Sequence, residues 1–370
     1  MISDSDPINN SIPEPREEVK NIKSYSAPLE DRRTLLRLDF NENTIGPSIK
    51  VYDALQQIKI NEVSIYPEYN LLKEKISNNY LKNKKISSEE LGLFNGADAA
   101  INAIFNAFGK KNDYFLTTDP TFGYYSPCAE MQGMKILKST YKNKNFQFPI
   151  KDFEKKIINY KPKLIFICNP NNPTGTILSA EEVIRLSQLN KNSLLVVDEL
   201  YEKFNGDTLL KNINFDISKN IVVIQSLSKT GGLAGLRIGF AFGNKKIIEY
   251  INRVTGPYDV NSFAVNAAIA ALDDLEYIDN YAQKVKEARK WIQSKFESTN
   301  IRSHFAGGNY FLIWPNKNPE IIEEEMRKKG ILIRNMSSKK DLEYSIRVSI
   351  GTKEQMKLFW EAYQEIDLKS

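Results

Sequence analysis

Histidine is almost missing from this chain: His304 is the only one among 370 residues. A metal centre built from several histidines is therefore excluded, and a Ser-His-Asp relay is disfavoured. Any proton shuttle falls to another group, and lysine is the natural candidate. Cysteine is scarce too. Cys128 and Cys168 lie inside expected core elements, far from any metal-ligand spacing. No disulfide framework is possible on that count, no metal is expected, and the usage fits a reducing cytoplasm. No window approaches the length of a membrane span, and the first 21 residues lack the apolar core of a signal peptide. That start is polar and acidic, with Pro7, Pro13 and Pro15, and residues 1–24 are expected to form a flexible arm. Basic runs interleaved with aromatics are absent, so neither nucleic acid nor membrane is an expected partner. The excess of 51 Lys and Arg over 46 Asp and Glu, a net +5, is most simply a solvated lysine surface. There is no internal repeat.

What the chain does have is enough apolar material for a large core. At 41% hydrophobic over 370 residues it has room for two domains. From about Val51 to Phe242 helical and strand patterns alternate, which predicts a mostly parallel sheet covered by helices. After about Ser262 the pattern changes. A helical stretch from Glu276 to Thr299 carries Tyr277, Tyr281, Val285, Ala288 and Ile292 near helical spacing. Short strands are expected around Phe311–Trp314 and Ile331–Arg334, with a helix between them and a last helix from about Lys353. This predicts a smaller α+β domain.

The chemistry gathers where apolar runs end. Ile221-Val222-Val223-Ile224 reads as a buried strand, and Ser226-Leu227-Ser228-Lys229 follows it. Partial desolvation there lowers the lysine pKa and makes it a usable amine. Ser226, Ser228 and Arg237, within Ala234-Gly235-Leu236-Arg237-Ile238-Gly239, are what a phosphate needs. An amine able to form a Schiff base beside a phosphate cradle suggests pyridoxal 5'-phosphate. Four further segments fit it. Asn95-Gly96-Ala97-Asp98 opens a helix with Ile101, Ile104, Phe105 and Phe108 on one face, and its first turn offers amides to a phosphate. Pro120-Thr121-Phe122-Gly123-Tyr124 sets a ring where a planar cofactor could stack. Cys168-Asn169-Pro170-Asn171-Asn172-Pro173-Thr174-Gly175 is a rigid loop able to hold an amide in place. Asp198 ends the run Leu194-Leu195-Val196-Val197, where a buried carboxylate wants a cation such as a protonated pyridine nitrogen. Each has a plainer reading alone: an exposed lysine, a helix junction that binds nothing, a core ring, a structural turn, a strand-end carboxylate.

Together these segments resemble the fold type I pyridoxal-phosphate enzymes of the aspartate-aminotransferase superfamily. The likeness is closest to the histidinol-phosphate aminotransferase family and runs from about Tyr25 to the C-terminus. Leu38-Asp39-Phe40-Asn41-Glu42-Asn43-Thr44-Ile45-Gly46-Pro47-Ser48 is similar to that family's Asn-Glu-Asn and Gly-Pro segment, and Tyr66-Pro67-Glu68-Tyr69 to its Tyr-Pro motif. Pro257-Tyr258-Asp259-Val260-Asn261-Ser262 and Ile346-Arg347-Val348-Ser349-Ile350-Gly351 add late support. The resemblance implies an α/β fold of the aspartate-aminotransferase type, with a large domain of mostly parallel sheet plus a smaller α+β domain. The large domain would span residues 51–261, and the small one residues 25–50 and 262–370.

It also implies roles. Lys229 would join the cofactor and then shuttle the proton. Asp198 would pair with the pyridinium nitrogen. Tyr201 and Asn172 would bond the phenolic oxygen, and Phe122 would stack on the ring. Ala97 and Asp98 (by their backbone), Ser226, Ser228 and Arg237 would hold the phosphate, and Tyr66 would reach it from the partner of a homodimer. Arg347 would bind the substrate α-carboxylate as a fork, and Arg334 a distal phosphate. Asn309 and Tyr25 would complete the substrate pocket, although Gly307-Gly308-Asn309-Tyr310-Phe311 departs from the Ala-Asn-Phe form of the family. The implied activity is an aminotransferase converting histidinol phosphate and 2-oxoglutarate to imidazole acetol phosphate and glutamate, in histidine biosynthesis. The alternatives are an aromatic or broad-specificity aminotransferase, a decarboxylase of a phosphorylated amino acid, and a non-catalytic pyridoxal-phosphate-binding protein. Against the last, the chain has no room for an added DNA-binding module and keeps the lysine, the aspartate and both arginines.

Overall fold

The computed structural model describes residues 12–22, 31–81 and 84–369. Its strands, in chain order, are β1 (Leu36–Arg37), β2 (Leu91–Asn95), β3 (Tyr114–Asp119), β4 (Lys135–Thr140), β5 (Leu164–Cys168), β6 (Leu194–Asp198), β7 (Ile221–Ser226), β8 (Ile238–Gly243), β9 (Arg302–Phe305), β10 (Tyr310–Trp314), β11 (Ile331–Leu332), β12 (Arg334–Asn335) and β13 (Ile346–Ser349). Seven of them form one sheet in the order β2-β8-β7-β6-β5-β3-β4. The pairings from β7 through β4 are parallel, and β8 alone runs against its neighbours.

Apolar runs form these central strands because both faces are covered. In β5, Leu164, Phe166 and Cys168 enter one apolar cluster, while Ile165 and Ile167 enter the other. The first cluster is filled by the Ala97–Phe108 helix, through Ile101, Ile104 and Phe105. Parallel connection brings the ends of β2, β3, β5, β6 and β7 to one edge, so Asn95, Asp119, Cys168, Asp198 and Ser226 share it.

A second antiparallel sheet, β12-β13-β10-β9, packs under the Leu275–Glu297 and Lys353–Tyr363 helices in its own cluster. The strand expected over Ile331–Arg334 is two strands. β11 pairs with β1 in parallel and β12 pairs with β13, the chain passing from one to the other at buried Ile333. The Ser262–Leu272 helix starts where the large domain was expected to end. Its Ala264, Ala267, Ala268 and Ala271 share the apolar cluster of the seven-stranded sheet, and it packs on the Ile49–Gln56 helix. No helix among the described residues is long and apolar enough to cross a membrane.

Candidate active site

The strand ends of the large sheet face the segment that leaves β1, and the site lies between them. Lys229 follows β7. Its Nζ donates to the Phe40 carbonyl at 2.9 Å and stands 6.0 Å from the centre of the Tyr201 ring. Burial, and then the charge of Arg347, pull its pKa down to about 8. The amine is thus poised near neutrality, which an ordinary surface lysine is not.

Asp198 closes β6 with only 3% of its surface exposed. Its Oδ2 accepts the Tyr125 hydroxyl at 2.6 Å, and its Oδ1 the Leu200 amide at 3.2 Å. Burial raises its pKa to about 6. Among the described residues no lysine or arginine forms an ion pair with it, so a buried carboxylate stands ready for a cation.

Tyr201, three residues on, is buried as well. The side-chain amides of Asn41 (3.1 Å) and Asn172 (3.2 Å) both donate to its oxygen. That arrangement leaves the hydroxyl proton to be donated outward. Burial holds the phenol well above its ordinary value, so it stays protonated. The orientation of the Asn172 amide is fixed from its other side, where Oδ1 accepts Arg347 Nη1 at 2.7 Å. Arg347 Nη2 donates to the Asp39 carbonyl at 2.5 Å. Asn309, fully buried, donates to the Asn41 carbonyl at 3.1 Å and stands behind that residue.

A phosphate cradle adjoins them. The Ser226 hydroxyl donates to Ser228 Oγ at 2.7 Å and accepts the Ser228 amide at 2.9 Å. Ala97 and Asp98 open the Ala97–Phe108 helix, whose first-turn amides have no acceptor within the helix. Arg237 takes a left-handed backbone (φ 56°), and its Nη2 meets Asp98 Oδ2 at 2.7 Å. Glycines keep the backbone close here. A Cβ on Gly96 would fall 2.5 Å from Arg237 Nη2, and one on Gly239 would fall 2.5 Å from the Gly96 carbonyl carbon. Two hydroxyls, a helix start, a guanidinium, a buried anion and a near-neutral lysine fit pyridoxal phosphate.

Most of the expected site residues therefore converge. Phe122 lies edge-to-face on Tyr125 at 5.5 Å and so borders the Asp198 corner. Arg334 lies directly across the ladder from Arg347, which sets both on one face of the small sheet. Its guanidinium is 5.6 Å from the Phe40 ring. Tyr66 stands apart, exposed and stacked on Tyr258 at 4.0 Å. Tyr25 lies outside the described residues. Residues with no role expected from the sequence also appear: Asn41 on Tyr201, Tyr125 on Asp198, and Arg32, which grips buried Asp39 with both Nε (3.0 Å) and Nη2 (2.7 Å). Asn41 could have been suspected from its place in the Asn-Glu-Asn motif. No local signal marks the other two.

Architecture and site define a pyridoxal-phosphate enzyme of fold type I. The comparison with known families sharpens this: the model of aminotransferase class I and II matches residues 33–362, and the chain belongs to that family. A histidinol-phosphate aminotransferase from Caldanaerobacter subterraneus is 30% identical over 95% of this chain and 98% of its own length. One from Pelagibacter ubique is 35% identical over 88% and 91%. A crystal structure of the Sinorhizobium meliloti histidinol-phosphate aminotransferase in complex with pyridoxal-5'-phosphate superposes with a TM-score of 0.84. It covers 96% of this chain and 98% of that one at 20% identity, and shows the shared fold.

Proposed function

We propose that this aminotransferase transfers the amino group of L-histidinol phosphate to 2-oxoglutarate. The observation that carries the reading is the facing pair Arg347 and Arg334 on β13 and β12, beside the lysine. One substrate brings a phosphate to the arginine-bearing end, and the other brings carboxylates. Guanidinium forks accept both by redirecting their N–H groups. Relatives 30–35% identical over nearly the whole chain bear the same activity in their names, which supports the choice of donor.

Bound at this site, pyridoxal phosphate supplies an electron sink for the bond to the Cα hydrogen. The chain's own residues do the rest. Asp198 would hold a charge for the ring nitrogen. Tyr201 would donate its free proton and Asn172 its amide to the phenolic oxygen. Phe122 would cover the ring face. Ser226, Ser228, Arg237 and the first-turn amides of Ala97 and Asp98 hold the phosphate. Lys229 Nζ takes the Cα proton and returns it, and a pKa near neutrality suits it to both. Asn309 and Tyr25 shape the substrate pocket.

In the same reading the enzyme is a cytoplasmic homodimer, with Tyr66 serving the partner's phosphate. The exposed apolar run Ile60, Val63, Ile65, Tyr66 and, beside it, Tyr258 supports this. The same reading divides the chain into a large domain over residues 51–261 and a small one from 25–50 and 262–370, with the Ser262–Leu272 helix of the latter packed into the apolar cluster of the large sheet. The test is an amino-donor screen in which each donor alone converts the pyridoxal spectrum to the pyridoxamine form, and 2-oxoglutarate added afterwards restores it. Turnover of aromatic donors with none of histidinol phosphate retires the proposal.

A further inference from the structure

Asp198 has a partner whose place in the fold is unlike that of the other site residues. Tyr125 opens the Tyr125–Met131 helix and is fully buried. Its ring packs on Phe166 at 5.1 Å and edge-to-face on Phe122 at 5.5 Å. Its hydroxyl leaves that apolar packing to donate to Asp198 Oδ2 at 2.6 Å, with the Cys168 thiol also within its reach. Among the described residues the other donor to this carboxylate is the Leu200 amide, longer at 3.2 Å and local to the turn. Both carboxylate oxygens are thereby pinned, and the tyrosine supplies the shorter bond.

We infer that Tyr125 is a positioning residue, whose hydroxyl keeps Asp198 ionised and aimed at the ring nitrogen of pyridoxal phosphate. The inference rests on the cofactor reading above. Burial works against the charge of Asp198 and has raised its pKa to about 6, while the Tyr125 hydrogen bond is the leading influence in the other direction. The groups that face Asp198 are few. Cys168 on β5 and Tyr125 on its helix are both pushed far up by burial and stay neutral. The Tyr201 phenol is neutral for the same reason. Asp98 raises the proton affinity of Asp198, the Leu200 amide and Lys229 lower it, and the Tyr125 hydroxyl is the largest of the influences that favour the charge. The same side chain packs on Phe122, so one residue ties the wall over the ring face to the anion at the ring nitrogen.

A double-mutant cycle on cofactor binding tests this. Pyridoxal-phosphate dissociation constants are measured for the wild type, Tyr125→Phe, Asp198→Asn and the pair, with thermal unfolding of each apoprotein alongside. Tyr125→Phe should weaken binding about ten- to a hundredfold, the worth of a hydrogen bond to a charged group. It should also move the acid limb of the kcat/KM profile to higher pH, because losing a donor to the anion raises the Asp198 pKa. In the Asp198→Asn background the same change should alter binding by no more than about twofold. Equal losses in both backgrounds, or no loss in the wild type, overturn the inference. Should the phenylalanine variant not fold, Tyr125→His enters the same cycle as a donor-bearing replacement and should keep most of the affinity in the wild-type background. A wild-type chain that takes up no pyridoxal phosphate overturns the cofactor reading and this inference together, whereas uptake without coupling overturns the inference alone.

Discussion

Asn172 joins the two halves of the site, and replacing it tests how they depend on each other. Its amide donates to Tyr201 at 3.2 Å and accepts from Arg347 at 2.7 Å. Asn172→Ala removes one neutral hydrogen bond, worth about 1 kcal/mol, and one to a charged group, worth about 1.5–3 kcal/mol. If both persist into the transition state, kcat/KM for glutamate falls on the order of a hundred- to a thousandfold. Asn172→Asp keeps the size but faces Arg347 with a carboxylate. That anion pairs with the guanidinium and competes with the anionic substrate, so KM should rise more than in the alanine variant. Steady-state kinetics with glutamate as donor, on variants assayed for full cofactor content, reads both effects. An alanine variant within about threefold of wild type, well inside the worth of a single such bond, would refute the idea that this amide orients Arg347. So would an aspartate variant that binds glutamate as well as the alanine one does.

The pH dependence of cofactor uptake checks the state of Lys229. Its neutral amine is the reactive form, so the rate of pyridoxal-phosphate capture by the apoprotein should climb with pH and level off above about 8, read by stopped-flow absorbance. A flat rate through that range would contradict the lowered pKa. Arg32→Met removes the guanidinium that both Asp39 oxygens accept from, leaves a buried carboxylate, and should cost about 3–5 kcal/mol in urea unfolding. A loss under about 1 kcal/mol would mean that Asp39 is solvated in practice. Tyr66→Phe and Lys229→Ala chains, mixed and reassembled, should recover activity, because one hybrid site then holds both native residues. Proven heterodimers without recovery would assign Tyr66 to its own subunit or to none.

The parts of the fold that could be read from the sequence are those whose signal is local. Ile221–Ile224 and Leu194–Val197 are unbroken apolar runs because β7 and β6 are covered on both faces, and the ends of these strands carry the serine cradle and Asp198. The Ala97–Phe108 helix buries Ile101, Ile104 and Phe105, as their apolar spacing predicts. What escaped was contact between distant segments. Asn41 meets Tyr201 across 160 positions, and its Asn-Glu-Asn motif marks the residue but not that partner. Tyr125 looks like one more core aromatic, since its bond to Asp198 is formed only when the helix packs against β6. The break at Ile333 escaped because Ile331–Arg334 is one short run in sequence, and only the strand partners divide it.

The most direct test of the account is amino transfer to 2-oxoglutarate from L-histidinol phosphate, phenylalanine and tyrosine side by side, in the wild type and in Arg334→Gln. The account predicts the highest kcat/KM for histidinol phosphate. It also predicts a selective loss for that donor in the variant of about 1.5–3 kcal/mol, the worth of a charge-assisted hydrogen bond. Faster turnover of the aromatic donors, with histidinol phosphate slow or inert, or an equal effect of Arg334→Gln on all three donors, would contradict it.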